Sequence, residues 1–195
     1  MRIYDTSKGV KGVALNDVAR STTTHAYTAW LNMLRRCYDQ RHYTKYPTYF
    51  GCSVCDEWLK FSNFEKWYNE HYREGYELDK DIICKGNKVY GPDFCDYVPK
   101  RINYLFGRNN GKRGQFPIGV TFKNEKRKAV FKAYMLVSRK QVHLGYYNTP
   151  DEAFMAYKKA KEAHIKEVAE DAFEKGEISE RIYSALMKYE VEITD

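Results

Sequence analysis

The sequence predicts an α+β fold of two modules: an N-terminal helical/ββα domain, then a three-stranded antiparallel sheet packed on a helix. Three observations carry this expectation. Apolar residues step by three and four over residues 25–38 and again from Trp58 to Tyr68. Three alternating runs, 118–123, 129–137 and 140–147, lead into a capped helical stretch. Between the modules lies Gly107-Arg108-Asn109-Asn110-Gly111-Lys112-Arg113-Gly114, a polar, basic, glycine-rich segment of linker type. The expected boundaries are therefore 1–106, a linker at 107–116, and 117–195.

In chain order, Val10 to Ala19 reads as a short strand or an extended arm. Thr22, Thr23 and Thr24 offer N-caps to a helix over 25–38, whose apolar positions are Ala26, Trp30, Met33, Leu34 and Cys37. Arg35 and Arg36 fall where its dipole favours cations. Residues 39–51 read as an aromatic-rich loop with Tyr43, Tyr46, Tyr49 and Phe50. Trp58, Phe61, Phe64, Trp67 and Tyr68 predict a second helix, closed by Gly75. Residues 76–84 look like a strand, Gly86-Asn87 a turn, and Lys88 to Tyr90 the returning strand. Residues 99–106 predict a short helix with Ile102 and Leu105. In the second module, Thr149 caps a helix and Glu152 completes a capping box. Its apolar stripe is Ala153, Phe154, Ala156, Tyr157, Ala160 and His164. A last helix is expected from about Ser179 to Tyr189, with Ile182, Leu186 and Tyr189 facing inward.

Charge is unevenly distributed along the 195 residues. Of the net +7, residues 104–143 hold ten basic and one acidic side chain, whereas residues 144–195 hold seven and twelve. A +9 stretch of forty residues beside a −5 segment points to a polyanionic partner. No apolar run follows Met1 and none approaches a membrane span, so an intracellular, cytoplasmic protein with no membrane partner is expected. Five cysteines without a secretory signal read as thiols or metal ligands.

Alternation assigns the faces of the predicted sheet. Val120 with Phe122, then Phe131, Ala133 and Met135, then Val142, Leu144 and Tyr147 are expected to pack on the helix. Thr121, Lys123, Lys132, Tyr134, Gln141 and His143 fall on the opposite face, and Lys126, Arg127, Lys128, Arg139 and Lys140 crowd the turns. A cationic sheet face with hydrogen-bonding tips suits the major groove of duplex DNA, with basic turns on the phosphates. Gly119-Val120, Phe131-x-Ala133, Leu144-Gly145 and Thr149-x-x-Glu152-Ala153 leading to Ala156-Tyr157 resemble the plant ethylene-response-factor (APETALA-type) domain. The resemblance implies a sheet lying in the major groove with the helix behind it, and Thr121, Lys123, Lys132, Tyr134 and His143 facing bases or phosphates. Thr121 and His143 stand where that family usually has arginine and tryptophan.

Upstream, Trp30…Met33-Leu34-x-Arg36-Cys37-Tyr38, Tyr49-x-Gly51-x-x-Val54-Cys55-x-x-Trp58, Phe61-x-Asn63-Phe64, Leu78-Asp79-Lys80-Asp81 and Tyr90-x-Pro92-x-x-Cys95 occur in order. This is similar to phage-encoded proteins of the HNH-endonuclease type that carry an ethylene-response-factor domain. The resemblance implies a bacterial host of a phage, and a ββα-metal site where histidine activates water beside one divalent cation. Here Lys80 stands at the histidine position and Phe94 at that of an asparagine. Asp79, Lys80 and Asp81 are the candidate catalytic residues, with Asp79 and Asp81 as candidate Mg²⁺ ligands. A lysine between carboxylates is a poor base, so binding without efficient cleavage is expected. Cys52, Cys55, Cys84 and Cys95 are candidate ligands of a structural Zn²⁺, although their spacing is not that of a finger, and buried packing thiols are the alternative. The expected function is duplex DNA binding of phage or prophage type. The alternatives are a metal-dependent nickase or homing endonuclease, and a phage protein that binds or inhibits a host protein.

Overall fold

The computed structural model describes residues 9–106, 115–125, 128–138 and 140–193, with the side chains at 124, 125, 128 and 129 left undescribed. The chain is mixed α+β and divides into two compact units, one ending at Lys100 and one beginning at Arg101. Most of the expected linker, residues 107–114, lies outside the described residues. The segment just ahead of it packs with the second unit: Arg101 pairs with Asp171 at 3.1 Å and with Glu177, and the Phe106 ring lies 4.7 Å from Tyr189.

In the first unit, α1 (His25–Tyr38) forms as its periodicity predicts, because Thr24 Oγ1 accepts the Tyr27 N–H at 3.1 Å and the Ala26–Cys37 stripe is buried. α2 (Gln40–Lys45) and a 3-10 turn (Pro47–Tyr49) occupy what reads from sequence as a loop, with Asp39 capping α2 through the Arg41 N–H. α3 (Phe61–His71) follows a 3-10 turn at Asp56–Leu59. Trp30, Trp58, Phe61 and Phe64 are fully enclosed between these helices, and the Trp30 indole N–H donates to the Trp58 carbonyl at 2.7 Å. The segment at 10–19 forms no regular strand. Val10 bridges Ala14 across a tight turn, and Leu15 bonds beside α3 through the Leu59 carbonyl and the Phe61 N–H.

The strands of this unit correct the sequence expectation. Residues 76–90 do not form a hairpin. β1 (Ser53–Val54) pairs in parallel with β3 (Val89–Tyr90), while β2 (Tyr76–Asp79) pairs antiparallel with β4 (Asp96–Pro99), Asp79 lying opposite Asp96. β2 stops at Asp79 because its carboxylate accepts the N–H groups of Asp81 and Ile82, each at 2.8 Å. Such a local side-chain bond competes with a ladder. The chain re-emerges at Val89 aimed at β1 instead of β2.

In the second unit, after α4 (Lys100–Asn103), β5 (Val120–Glu125), β6 (Lys128–Val137) and β7 (Lys140–Tyr147) form one antiparallel sheet in the order β5-β6-β7. α5 (Pro150–Glu174) packs on it, and α6 (Glu180–Met187) packs on α5. Ala133, Val120, Ala153, Phe154 and Tyr157 are buried where sheet meets helix. The helix runs beyond the predicted stripe: Ile165, Ala169 and Ala172 continue the core toward Ile182 and Leu186. Ala156, Ala160 and His164 are only half-buried. Lys158 and Glu162 hold the C-terminal segment, donating to the Val191 carbonyl and accepting its N–H, both at 2.8 Å.

Candidate nucleic-acid interface

β6 sets the two faces of the sheet. Val120 opposes Ala133 and Thr121 opposes Lys132 on one side, while Ala133 opposes Gly145 and Lys132 opposes Tyr146 on the other. The register slips between Ala133 and Tyr134, so that Tyr134 faces His143 and Leu144 is left over as a bulge. One extra residue reverses the parity of the strand beyond it. The inward set on β7 is thus Val142, Gly145 and Tyr147. Tyr146, not assigned from sequence, joins Lys132, Tyr134, Gln141 and His143 on the outward face.

Two glycines hold this arrangement. Gly119 has φ +75°, and a Cβ there would stand 2.1 Å from Cδ2 of Tyr157. The Tyr157 ring therefore lies directly on the backbone that starts β5. Gly145, at φ +142°, lies under the Tyr147 hydroxyl, which donates to the Leu144 carbonyl at 3.2 Å. The backbone at the bulge is clamped by its own strand.

The outward face is polar and cationic at its centre and has apolar points at its rim. Lys132 Nζ donates to Gln141 Oε1 at 3.2 Å, bridging β6 to β7. The His143 and Tyr146 rings lie 4.7 Å apart, and Tyr146 is 52% exposed. Lys123, Lys140, Gln141 and His143 are exposed, whereas Thr121, Lys132 and Tyr134 are half-buried. Leu136 opposes Gln141 and is exposed, so the face is not uniformly polar. On the helix side, Phe122 and Val142 are more open than alternation predicts. Phe122 stacks on Phe116 and meets Phe131 at a tilt. Arg127 and Arg139 lie outside the described residues, as does Lys126, and Lys128 enters only as the first residue of β6.

The candidate catalytic residues of the first unit sit in a closed network. Lys80 is buried; its ammonium donates to Asp81 Oδ1 at 2.6 Å and to the Asn87 carbonyl at 2.7 Å, and lies 5.7 Å from the centre of the Tyr90 ring. Asn87 returns the bond, its amide donating to the Lys80 carbonyl at 2.9 Å and to the Val89 carbonyl at 2.7 Å. These reciprocal bonds staple the 80–87 loop and direct β3. Burial pushes the Asp79 carboxyl above the ordinary range, outweighing the two backbone N–H groups that pull it down. One oxygen of Asp79, Oδ1, accepts the Asp81 and Ile82 N–H groups, and Oδ1 of Asp81 accepts the Lys80 ammonium.

The four candidate zinc thiols are dispersed in character. Cys52 and Cys95 are buried, Cys55 is half-buried and Cys84 is exposed. Burial pushes the Cys95 thiol up to about 12 and raises that of Cys55. Among the described residues, no three His, Cys, Asp or Glu side chains are grouped to hold a metal ion. Among the described residues, no helix is long and apolar enough to cross a membrane.

Fold and site define a two-unit α+β protein whose second unit presents an open, cationic sheet face backed by a helix. No protein-family model, curated protein or solved structure matches the chain.

Proposed function

We propose that the chain is a duplex DNA-binding protein of phage or prophage type, and that its second unit reads the major groove with the outward face of β5-β6-β7. The observation that carries this reading is the alignment of Lys132, Tyr134, Gln141 and His143, all inside the segment of highest positive charge, with Tyr146 on the sheet face opposite the helix. A major groove about 12 Å wide admits such a sheet. Lys132 and Lys123 supply phosphate contacts, while Gln141 and His143 offer donors and acceptors to base edges. The three strands backed by α5 support a domain of the ethylene-response-factor type.

The first unit is, in this reading, a degenerate HNH-like domain. A second reading, metal-dependent nicking, draws on one observation: Asp79 is an acid whose carboxyl is raised by burial beside Lys80, and perturbed acids gather at functional sites. The internal bonding of Asp79, Lys80 and Asp81 favours a structural role. Supercoiled plasmid incubated with the full chain, with and without Mg²⁺ or Mn²⁺, separates the two. DNA binding predicts a mobility shift with closed circles preserved. Metal-dependent open circles that vanish in Asp79→Asn would replace it with the nuclease reading.

A further inference from the structure

The first unit carries a group of rings and cations that neither the sheet face nor the Asp79–Asn87 network uses. It spans the end of α1, α2 and the following 3-10 turn. Phe50 is 73% exposed and Tyr46 is 43% exposed, although both belong to an aromatic set that elsewhere builds the core. Tyr43 meets Phe50 edge-on at 6.1 Å. The His42 ring lies 4.8 Å from Tyr46 and 5.3 Å from Tyr49, so the segment holds a ring trio beside the Tyr43–Phe50 pair. His42 Nε2 is enclosed and has no hydrogen-bond partner. Burial, then Arg35 and Arg36, hold the His42 pKa below its ordinary value, and the ring packs at a tilt against both tyrosines.

Cations flank these rings. The Arg36 guanidinium lies 5.6 Å from the centre of the Tyr49 ring and the Lys45 ammonium 5.3 Å from that of Tyr46. Lys88 reaches the segment through the Thr48 carbonyl at 2.9 Å, and Arg35 and Arg41 are exposed nearby in the chain. Asp39 is the one acid between residues 35 and 50, and its carboxylate is taken by the Lys11 ammonium and the Arg41 N–H.

We propose that the Tyr43–Phe50 segment, with Arg35, Arg36, Arg41 and Lys45, is a stacking platform for unpaired nucleotides. A base in a duplex has both faces covered, whereas an unpaired base offers a π-face to an exposed ring, and its phosphates need cations a few ångströms away. Exposed aromatics interleaved with arginine and lysine meet both demands without reading sequence. This site lies in the other unit from the sheet face, and the inference does not rest on the duplex reading.

The test uses the full chain and labelled oligonucleotides of about 12 nucleotides, dT and rU, within the span such sites cover. Fluorescence anisotropy is expected to show salt-dependent binding that Tyr46→Ala with Phe50→Ala weakens about tenfold or more, the scale of a lost base–ring stack. Phe50→Trp should keep the affinity, and its fluorescence should be quenched on binding, which excludes a simple folding defect. The tighter of the dT and rU complexes identifies whether DNA or RNA is the strand held, and either one supports the platform. Lys132→Ala with His143→Ala should leave this binding intact whatever it does to duplex DNA. No binding by the wild-type chain, or equal binding by the Tyr46→Ala/Phe50→Ala variant, overturns the proposal.

Discussion

Lys80 shows how a single side chain changes the reading of a motif. In the string Leu78-Asp79-Lys80-Asp81 it looks like a damaged catalytic position, but the structure uses it as a tether. Its ammonium donates to Asp81 and to the Asn87 carbonyl, and Asn87 donates back. The sequence names Asp79, Lys80 and Asp81 as one motif and Asn87 only as a turn residue, because the bonds that join them run to backbone atoms up to seven residues away. Asp79 makes the point testable. Its carboxylate accepts two backbone N–H groups, one exposed and one part-buried, so Asp79→Ala should cost about 0.5–1.5 kcal/mol, the net range for such bonds. Asp79→Asn keeps an acceptor oxygen and should cost much less. Because burial raises the carboxyl in the folded state, the ionised form opposes folding. Its contribution is favourable below the unfolded carboxylate range and is lost as pH rises through the folded value. Asp79→Asn should therefore match or exceed wild-type stability at neutral pH, with the difference closing in acid. Denaturant melts at pH 7 and at about pH 4 read this out. An Asp79→Asn protein as unstable as Asp79→Ala at both values would rule out the capping role.

At the scale of elements, α1 and α3 were legible, whereas α2, read as loop, and strand pairing in the first unit were not. α1 is bounded by Thr24 and Asp39, as its cap and apolar steps indicate, because helix signals are local. β1 and β3 are two residues each, and their pairing joins residues some 36 positions apart (Ser53 with Val89), which no local periodicity reports. The second unit was legible strand by strand because its three strands are sequential neighbours. What alternation alone missed was the bulge at Leu144, and with it the outward turn of Tyr146. The signal was Gly145, a residue that marks bulges and close backbone approaches within a strand. Gly119 is the most demanding glycine among the described residues of this unit. A methyl group there meets the Tyr157 ring at 2.1 Å on a left-handed backbone, so Gly119→Ala should cost about 2–4 kcal/mol, combining overpacking with backbone strain. Thermal melts of the full chain would show it. Gly119→Ala combined with Tyr157→Ala should recover part of the loss if the ring is the obstacle, whereas strictly additive losses would point elsewhere.

For the whole molecule, charge segregation and architecture point the same way. The forty residues that carry +9 include the whole of β5 and β6 and the first four residues of β7, and the helix that follows is acidic enough to face away from a polyanion. α5 packs on the apolar side of the sheet, and the opposite face carries Lys132, Gln141 and His143. The measurement that bears most directly on the central claim is the salt dependence of duplex binding by the full chain. It compares wild type with a Lys123→Ala, Lys132→Ala, Lys140→Ala variant between about 50 and 200 mM salt, a range over which phosphate contacts dominate affinity. If the sheet face lies on DNA, the slope of log K against log salt falls by about 0.9 for each phosphate contact removed, so by about two to three, and affinity drops with it. A variant that binds duplex with the affinity and slope of wild type would contradict the account.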